Sequence, residues 1–152
     1  MIQDFDIAGV YDPMVPDSEC LKIITEILDK LELKDHMIKI NHRKLLDAIY
    51  EICNVPSEKY RNISSAIDKL DKIGWDGVKK LILENEIDEN TYDKIYSFMN
   101  QSGNLFDTMN LLKSNEKIKL NKKASEALND LELVFKYCKI LKITDRVRNK
   151  KI

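Results

Sequence analysis

Three features predict a mostly helical α+β fold. Only 4 glycines and 3 prolines occur in 152 residues, so tight turns are few. Apolar residues recur at helical spacing over most of the chain beyond residue 17. Only two short segments, 5–10 and 37–41, have the character of strands. The expectation is a partial α/β segment over residues 1–54, an all-α bundle over 55–141 and a basic return segment over 142–152.

The elements follow in order. FDIAGV, residues 5–10, alternates weakly and reads as a strand. YDPMVP then forms a turn, because each proline fixes its own φ and restricts the residue before it. Asp17 or Ser18 can cap a helix, and Glu19 adds negative charge to its first turn. Cys20, Leu21, Ile24, Ile27, Leu28 and Leu31 give that helix one apolar face, ending near Leu33. MIKIN, residues 37–41, is a second strand, with Asn41 as N-cap of a helix whose buried face holds Leu45, Leu46, Ile49, Tyr50 and Cys53.

After residues 54–57 (NVPS) the character changes, and no strand is expected for about 85 residues. Ile63, Ala66, Ile67, Leu70 and Ile73 mark a helix stopped by Gly74. Trp75, Val78, Leu81 and Ile82 mark a short one. Tyr92, Ile95, Phe98 and Met99 mark a third, opened by Asp88 or Asn90. Residues 102–104 (SGN) break the chain before a helix through Leu105, Met109 and Leu112. The longest runs from about Asn121 to Leu141 through Ala124, Leu128, Leu131, Phe135 and Cys138. These helices predict a bundle of about five.

Composition limits the function. Apolar residues at 43% and charged residues at 34% suit a globular protein. A net charge of -1 gives no global attraction to nucleic acid or membrane. No apolar run has the length of a membrane span. Cys20, Cys53 and Cys138 are odd in number and far apart, so they read as buried structural thiols of a reducing compartment. His36 and His42 lack cysteine or carboxylate neighbours at ligand spacing, so no metal site is expected.

Asp4 and Asp6 share one strand face at i and i+2. A carboxylate on an inner sheet face needs a partner, because burying it alone is costly. The partner can be a structural Lys or Arg, a metal, or the ammonium group of a ligand. Asn41, His42, Arg43 and Lys44 sit at a strand-to-helix junction, which can bind an anion or simply form a cap and a solvated first turn. Lys69, Lys72, Lys79 and Lys80 form one candidate basic face. Lys113, Lys117, Lys119, Lys122 and Lys123 cluster before the last helix, and RVRNKK occupies residues 146–151. Such faces are ordinarily solvated surface, yet basic patches on a near-neutral chain can contact phosphates. No phosphate loop, dinucleotide fingerprint, nucleophile elbow or zinc-protease motif is present.

Four stretches, taken together and in order, carry a resemblance. They are DFDIAG at residues 4–9, DPMVPDSE at 12–19, INHRKLLDAI at 40–49 and SSAIDKLDKIGWDGVKK at 64–80. EALNDLELVFKY at 126–137 continues it. The chain resembles histidyl-tRNA synthetases of the eukaryotic cytosolic type, class II aminoacyl-tRNA synthetases. The resemblance implies a family that activates histidine with ATP and Mg and transfers it to its tRNA, as a cytoplasmic homodimer without membrane attachment. It implies that residues 1–54 are a slice of the catalytic domain, beginning at the end of class motif 2. Residues 55–141 would be the helical insertion domain that approaches the tRNA, which makes Lys69, Lys72, Lys79 and Lys80 possible tRNA contacts.

The family's histidine-contacting acid maps onto Asp6. A carboxylate suits an amino-acid ammonium through a charge-assisted hydrogen bond. A substrate-contacting Gln lies four residues before that acid in the family, whereas Gln3 stands three residues before Asp6. By the same resemblance Asp4 has no substrate role.

The family's motif 1, the arginine of motif 2, its second histidine-binding stretch, motif 3 and the anticodon-binding domain have no counterpart in these 152 residues. Stabilising a departing pyrophosphate needs the arginines and metal-binding acids of those pieces. The expectation is a portion of histidine–tRNA ligase that is inactive alone and binds neither ATP nor Mg tightly. The alternatives are a stand-alone helical RNA- or protein-binding module derived from a synthetase, and a regulatory synthetase-like domain. With few strands of its own, the N-terminal segment is expected to lean on the bundle or on a second chain.

Overall fold

The structure, a computed structural model, describes residues 5–33, 35–100 and 105–149. It is mostly helical, with one small sheet, as the sequence predicts. Helices α1 (Val15–Lys30) and α2 (Arg43–Ile52) flank strand β1 (Ile38–Ile40). Then come α3 (Tyr60–Ile67), α4 (Leu70–Glu84), α5 (Glu89–Met99), α6 (Leu105–Ser114), α7 (Glu116–Leu120) and α8 (Lys122–Ile140). Strand β2 (Val147–Asn149) returns beside β1, in parallel, with Ile38 opposite Val147 and Ile40 opposite Asn149.

The strand expected at residues 5–10 does not form. The segment is irregular, with Phe5 and Val10 exposed. A strand is stabilised by a ladder partner, and among the described residues β1 pairs only with β2. The return segment supplies the strand that the N-terminal segment does not. Nothing in its short, basic sequence marks β2 in advance.

Two helix starts also differ from expectation. Helix α1 begins at Val15, earlier than Asp17 or Ser18, because Met14 adopts a left-handed conformation (φ 62°) and Pro16 falls in the first turn. The Ser18 hydroxyl is buried and donates to the Met14 carbonyl at 2.7 Å. Helix α2 is capped by His42, without a side-chain bond to the helix, while Asn41 Oδ1 accepts the His42 N–H at 2.8 Å. Of the two openings expected for α5, Asp88 is the cap and accepts from the N–H of Thr91 at 2.9 Å. Helix α8 starts after Asn121, near where the sequence places it, and Asn121 caps it by accepting from the N–H of Ala124 at 3.0 Å. Helix α7 is additional to the expected bundle, and Asn115 starts it by accepting from Lys117 and Ile118. The SGN break lies outside the described residues.

The first bundle helix ends at Ile67 rather than at Gly74. Gly74 instead interrupts α4, with φ 65° and ψ 179°. That region of backbone space is essentially closed to residues with a Cβ. No atom lies within 4 Å of where a Cβ would stand, so backbone geometry alone demands the glycine.

A single buried cluster joins α2 to the helices that follow. Leu45, Ile49 and Tyr50 of α2 are fully buried, as are Ile63, Ile82, Ile95 and Met99. The change of character after residue 54 is therefore not a break in the core. Tyr50 packs edge-on against Tyr60, with centroids 5.2 Å apart, and shares a 3.2 Å hydrogen bond with Ser64. Burial pushes its phenol up to about 12. A smaller cluster of Leu21, Val134, Cys138, Ile143 and Val147 fastens α1 and the return segment to α8.

Candidate functional site

The site is a cleft of about 330 Å³ where four parts of the chain meet. Phe5, Asp6 and Ile7 form one wall and the start of α1 another, through Met14, Pro16, Asp17, Cys20 and Leu21. The end of β1 contributes Ile40, Asn41 and His42, and α8 contributes Leu131 and Val134. The smaller apolar cluster supports this floor, since Leu21 and Val134 belong to both.

The chemistry of the lining is one-sided. Among the described residues it contains the carboxylates of Asp6 and Asp17 and no lysine or arginine. Apolar side chains make up most of the rest. Such a lining suits a small ligand that carries a positive charge and an apolar body. Asp6 is exposed on an irregular segment, not on the inner face of a sheet, so its carboxylate is open to solvent. Gln3 and Asp4 lie outside the described residues.

His42, read from sequence only as part of the strand-to-helix junction, has a partner that spacing did not reveal. Its Nε2 lies 3.2 Å from Asp130 Oδ2 on α8, a carboxylate distant in sequence. The pair clasps the N-terminus of α2 to α8 beside the cleft. An Nε2–H donated to Asp130 leaves Nδ1 as the acceptor, and Nδ1 is buried without a hydrogen-bond partner among the described residues. Nothing in the spacing of His42 and Asp130 signals their meeting, which only the packing of α2 against α8 creates.

Cys20 borders the cleft half-buried, while Cys53 and Cys138 are buried. Burial pushes the Cys53 thiol up to about 11, against the opposing effect of Lys94 and Lys117, and also raises Cys138. Among the described residues no three metal-ligating side chains converge.

The lysines expected to form one basic face fall on two segments. Lys69 and Lys72 precede Gly74, whereas Lys79 and Lys80 follow it. Lys79 is committed locally, paired with Glu89 and 5.5 Å from the centre of the Tyr92 ring. The hydrogen bond to Glu89 raises the Lys79 amine and lowers the Glu89 carboxyl. Lys69, Lys72 and Lys80 are exposed.

Comparison with known proteins then identifies the lineage. The sequence model of the histidyl-tRNA synthetase family matches residues 7–149, nearly the whole chain. The chain belongs to the histidyl-tRNA synthetase family. A histidine–tRNA ligase of Danio rerio is 43% identical over 145 residues, covering 95% of this chain and 28% of the relative. A cytoplasmic histidine–tRNA ligase of Dictyostelium discoideum is 46% identical, covering 95% of this chain and 30% of the relative. A mitochondrial one of Saccharomyces cerevisiae is 46% identical, covering 88% and 25%.

The crystal structure of histidyl-tRNA synthetase from Nostoc sp. PCC 7120 superimposes with a TM-score of 0.84 at 25% identity, over 92% of this chain and 33% of that one. The chain thus spans less than a third of the length of the Danio and Dictyostelium relatives. The family match includes α8 and β2, and with them Asp130 and the return to β1. Asp6 stands one residue before it.

Proposed function

We propose that this chain is a portion of a histidine–tRNA ligase, and that its cleft receives the amino group of histidine at Asp6. The family membership supports the activity class. The single observation that carries the site is the described lining, with two carboxylates, no lysine or arginine and an apolar floor. An ammonium group would donate to the Asp6 carboxylate, and a neutral imidazole would lie against apolar walls. Gln3 is the companion contact that the family resemblance suggests.

On this reading residues 1–54 are a slice of the catalytic domain, 55–141 the insertion domain and 142–152 the return segment, and the partners are histidine, tRNA and a second subunit. Lys69, Lys72, Lys79 and Lys80 are the candidates for contact with tRNA on α4 and the residue before it. A cytoplasmic location follows the named cytoplasmic relatives, although mitochondrial ones match too. No described helix is long and apolar enough to cross a membrane.

ATP and Mg do not fit the residues present. Among the described residues the cleft offers a triphosphate no lysine or arginine, and no cluster of metal ligands exists. The chain by itself should therefore catalyse no histidine-dependent ATP–pyrophosphate exchange, and detectable exchange by the pure chain would refute this.

The site is tested by following amide resonances while histidine is added at millimolar concentration. Shifts should centre on Ile7, Leu21 and Val134. They should vanish with Asp6→Asn and with an analogue lacking the α-amino group. Equal shifts from that analogue would remove Asp6 from its role.

A further inference from the structure

We propose that the edge formed by α7 and the start of α8 is a binding surface for the phosphate backbone of RNA. The inference rests on the reading of this chain as part of a tRNA ligase, and it concerns a surface other than the α4 lysines. Residues 113–123 contain five lysines and one acid, Glu116. Residues 68–84, which carry the α4 candidates, contain four lysines and four acids, so their charges cancel. Local excess charge, not lysine number, attracts a polyanion.

The packing explains why the charge stays at the surface. Ile118 is buried and anchors α7, while Lys117 and Lys119 on either side are exposed. Neither makes an ion pair among the described residues. The Lys122 side chain is 90% exposed, and Glu126, its one carboxylate partner among the described residues, is 3.9 Å away. Lys113 and Lys123, in contrast, are neutralised by Glu132 and Glu51.

The arrangement also carries a local cost. Lys122 and Lys123 open α8, the longest described helix, whose first turn holds no acid. Cations there oppose the positive end of the helix dipole. A bound phosphate would reverse that repulsion. Beside this edge a groove of about 270 Å³, lined by Lys119, Ser125 and Asn129 among others, offers hydrogen-bond donors to phosphate oxygens. Lysine ammonium groups on flexible stems read charge and not sequence. The surface should therefore hold and orient RNA without specifying it.

The test is fluorescence anisotropy of the full chain with an end-labelled histidine tRNA transcript, between about 50 and 200 mM salt. Replacing Lys117, Lys119 and Lys122 together by Gln should weaken binding about tenfold and flatten the salt dependence by roughly two to three in slope. Glu116→Gln should tighten binding about twofold, a gain no folding defect can imitate. Lys69, Lys72 and Lys80 replaced by Gln should cost less than the α7–α8 set. If the parent chain binds tRNA and the α7–α8 variant binds equally well, this surface is wrong while the ligase reading stands. If the parent chain does not bind tRNA at all, the tRNA-contact reading of this chain falls, and this inference with it.

Discussion

Helices α1 and α2 have the same kind of sequence and opposite fates. Both carry apolar residues at spacings of three and four. In α2 the stripe is closed on every side, with Leu45, Ile49 and Tyr50 at 0% exposure. In α1 only Leu21 of that stripe is buried, and Ile24, Ile27 and Leu31 are 43%, 51% and 63% exposed. The difference is the number of neighbours. Helix α2 lies among α3, α5, α7 and α8, whereas α1 packs chiefly on α8. Periodicity specifies an apolar face, and tertiary packing decides how much of it is covered.

The strongest way to break this comparison is to truncate one residue on each helix. Ile49→Ala should destabilise by roughly 2–5 kcal/mol in urea unfolding, because the fully enclosed site cannot collapse around the lost atoms. Ile27→Ala should cost less than about 0.5 kcal/mol, as solvent-facing substitutions do. Equal losses would mean that α1 is covered in solution. Limited proteolysis asks the same question of whole segments, and a resistant core containing the helical bundle is expected. A resistant N-terminal half with a digested bundle would contradict it.

Gly74→Ala comes next. The substitution forces a Cβ into backbone space that glycine alone occupies comfortably, so a loss of about 1–3 kcal/mol is expected. The opposite sign is expected where the chain ends helices without glycine. Glu32, Asn54 and Lys142 take the left-handed position after α1, α2 and α8, with φ between 57° and 61°. Lys142→Gly should raise stability by about 0.5–1 kcal/mol, since Ile143 N–H to Cys138 O at 2.9 Å already closes the cap.

A smaller effect concerns acid. Hydrogen bonds from Lys123 and Asn121 lower the Glu51 carboxyl below its ordinary value of 4.5. Lys113 and Lys136 do the same for Glu132. A depressed folded-state pKa gives stability that is present above the unfolded value and lost as pH falls through the folded one. The melting temperature should therefore drop as pH falls below about 4.5, and Glu51→Gln should make that drop shallower. The smallest measurement sharpens the contrast between the two regions by chemistry. Thiol labelling of the native chain should modify Cys20 beside the cleft first, with Cys53 and Cys138 protected by burial.

Much of the fold was legible. The apolar stripes of α2, α3, α5 and α8 are the stripes the structure buries, and Asp88 caps where its hydrogen bonding suits. Helix ends were less legible because the chain uses Glu, Asn and Lys where glycine would have signalled them. The small helix α7 was missed, since five residues give too little periodicity to read. At the site, Asp6 could be singled out through family resemblance, but its exposed, irregular setting could not. A strand reading from alternation alone presumed a ladder partner that the described chain does not provide.

The amino-acid sequence by itself determined the helical class, the apolar faces, the cap at Asp88 and the lineage. These depend on neighbours a few residues apart, or on motif order along the chain. The tertiary structure alone decided that β2 returns to pair with β1, and that His42 meets Asp130. It also decided that Lys79 is consumed by Glu89, whereas Lys117 and Lys119 stay on the surface. Each is a contact between segments far apart in sequence or a consequence of packing, and no local spacing encodes which distant partner a side chain will find.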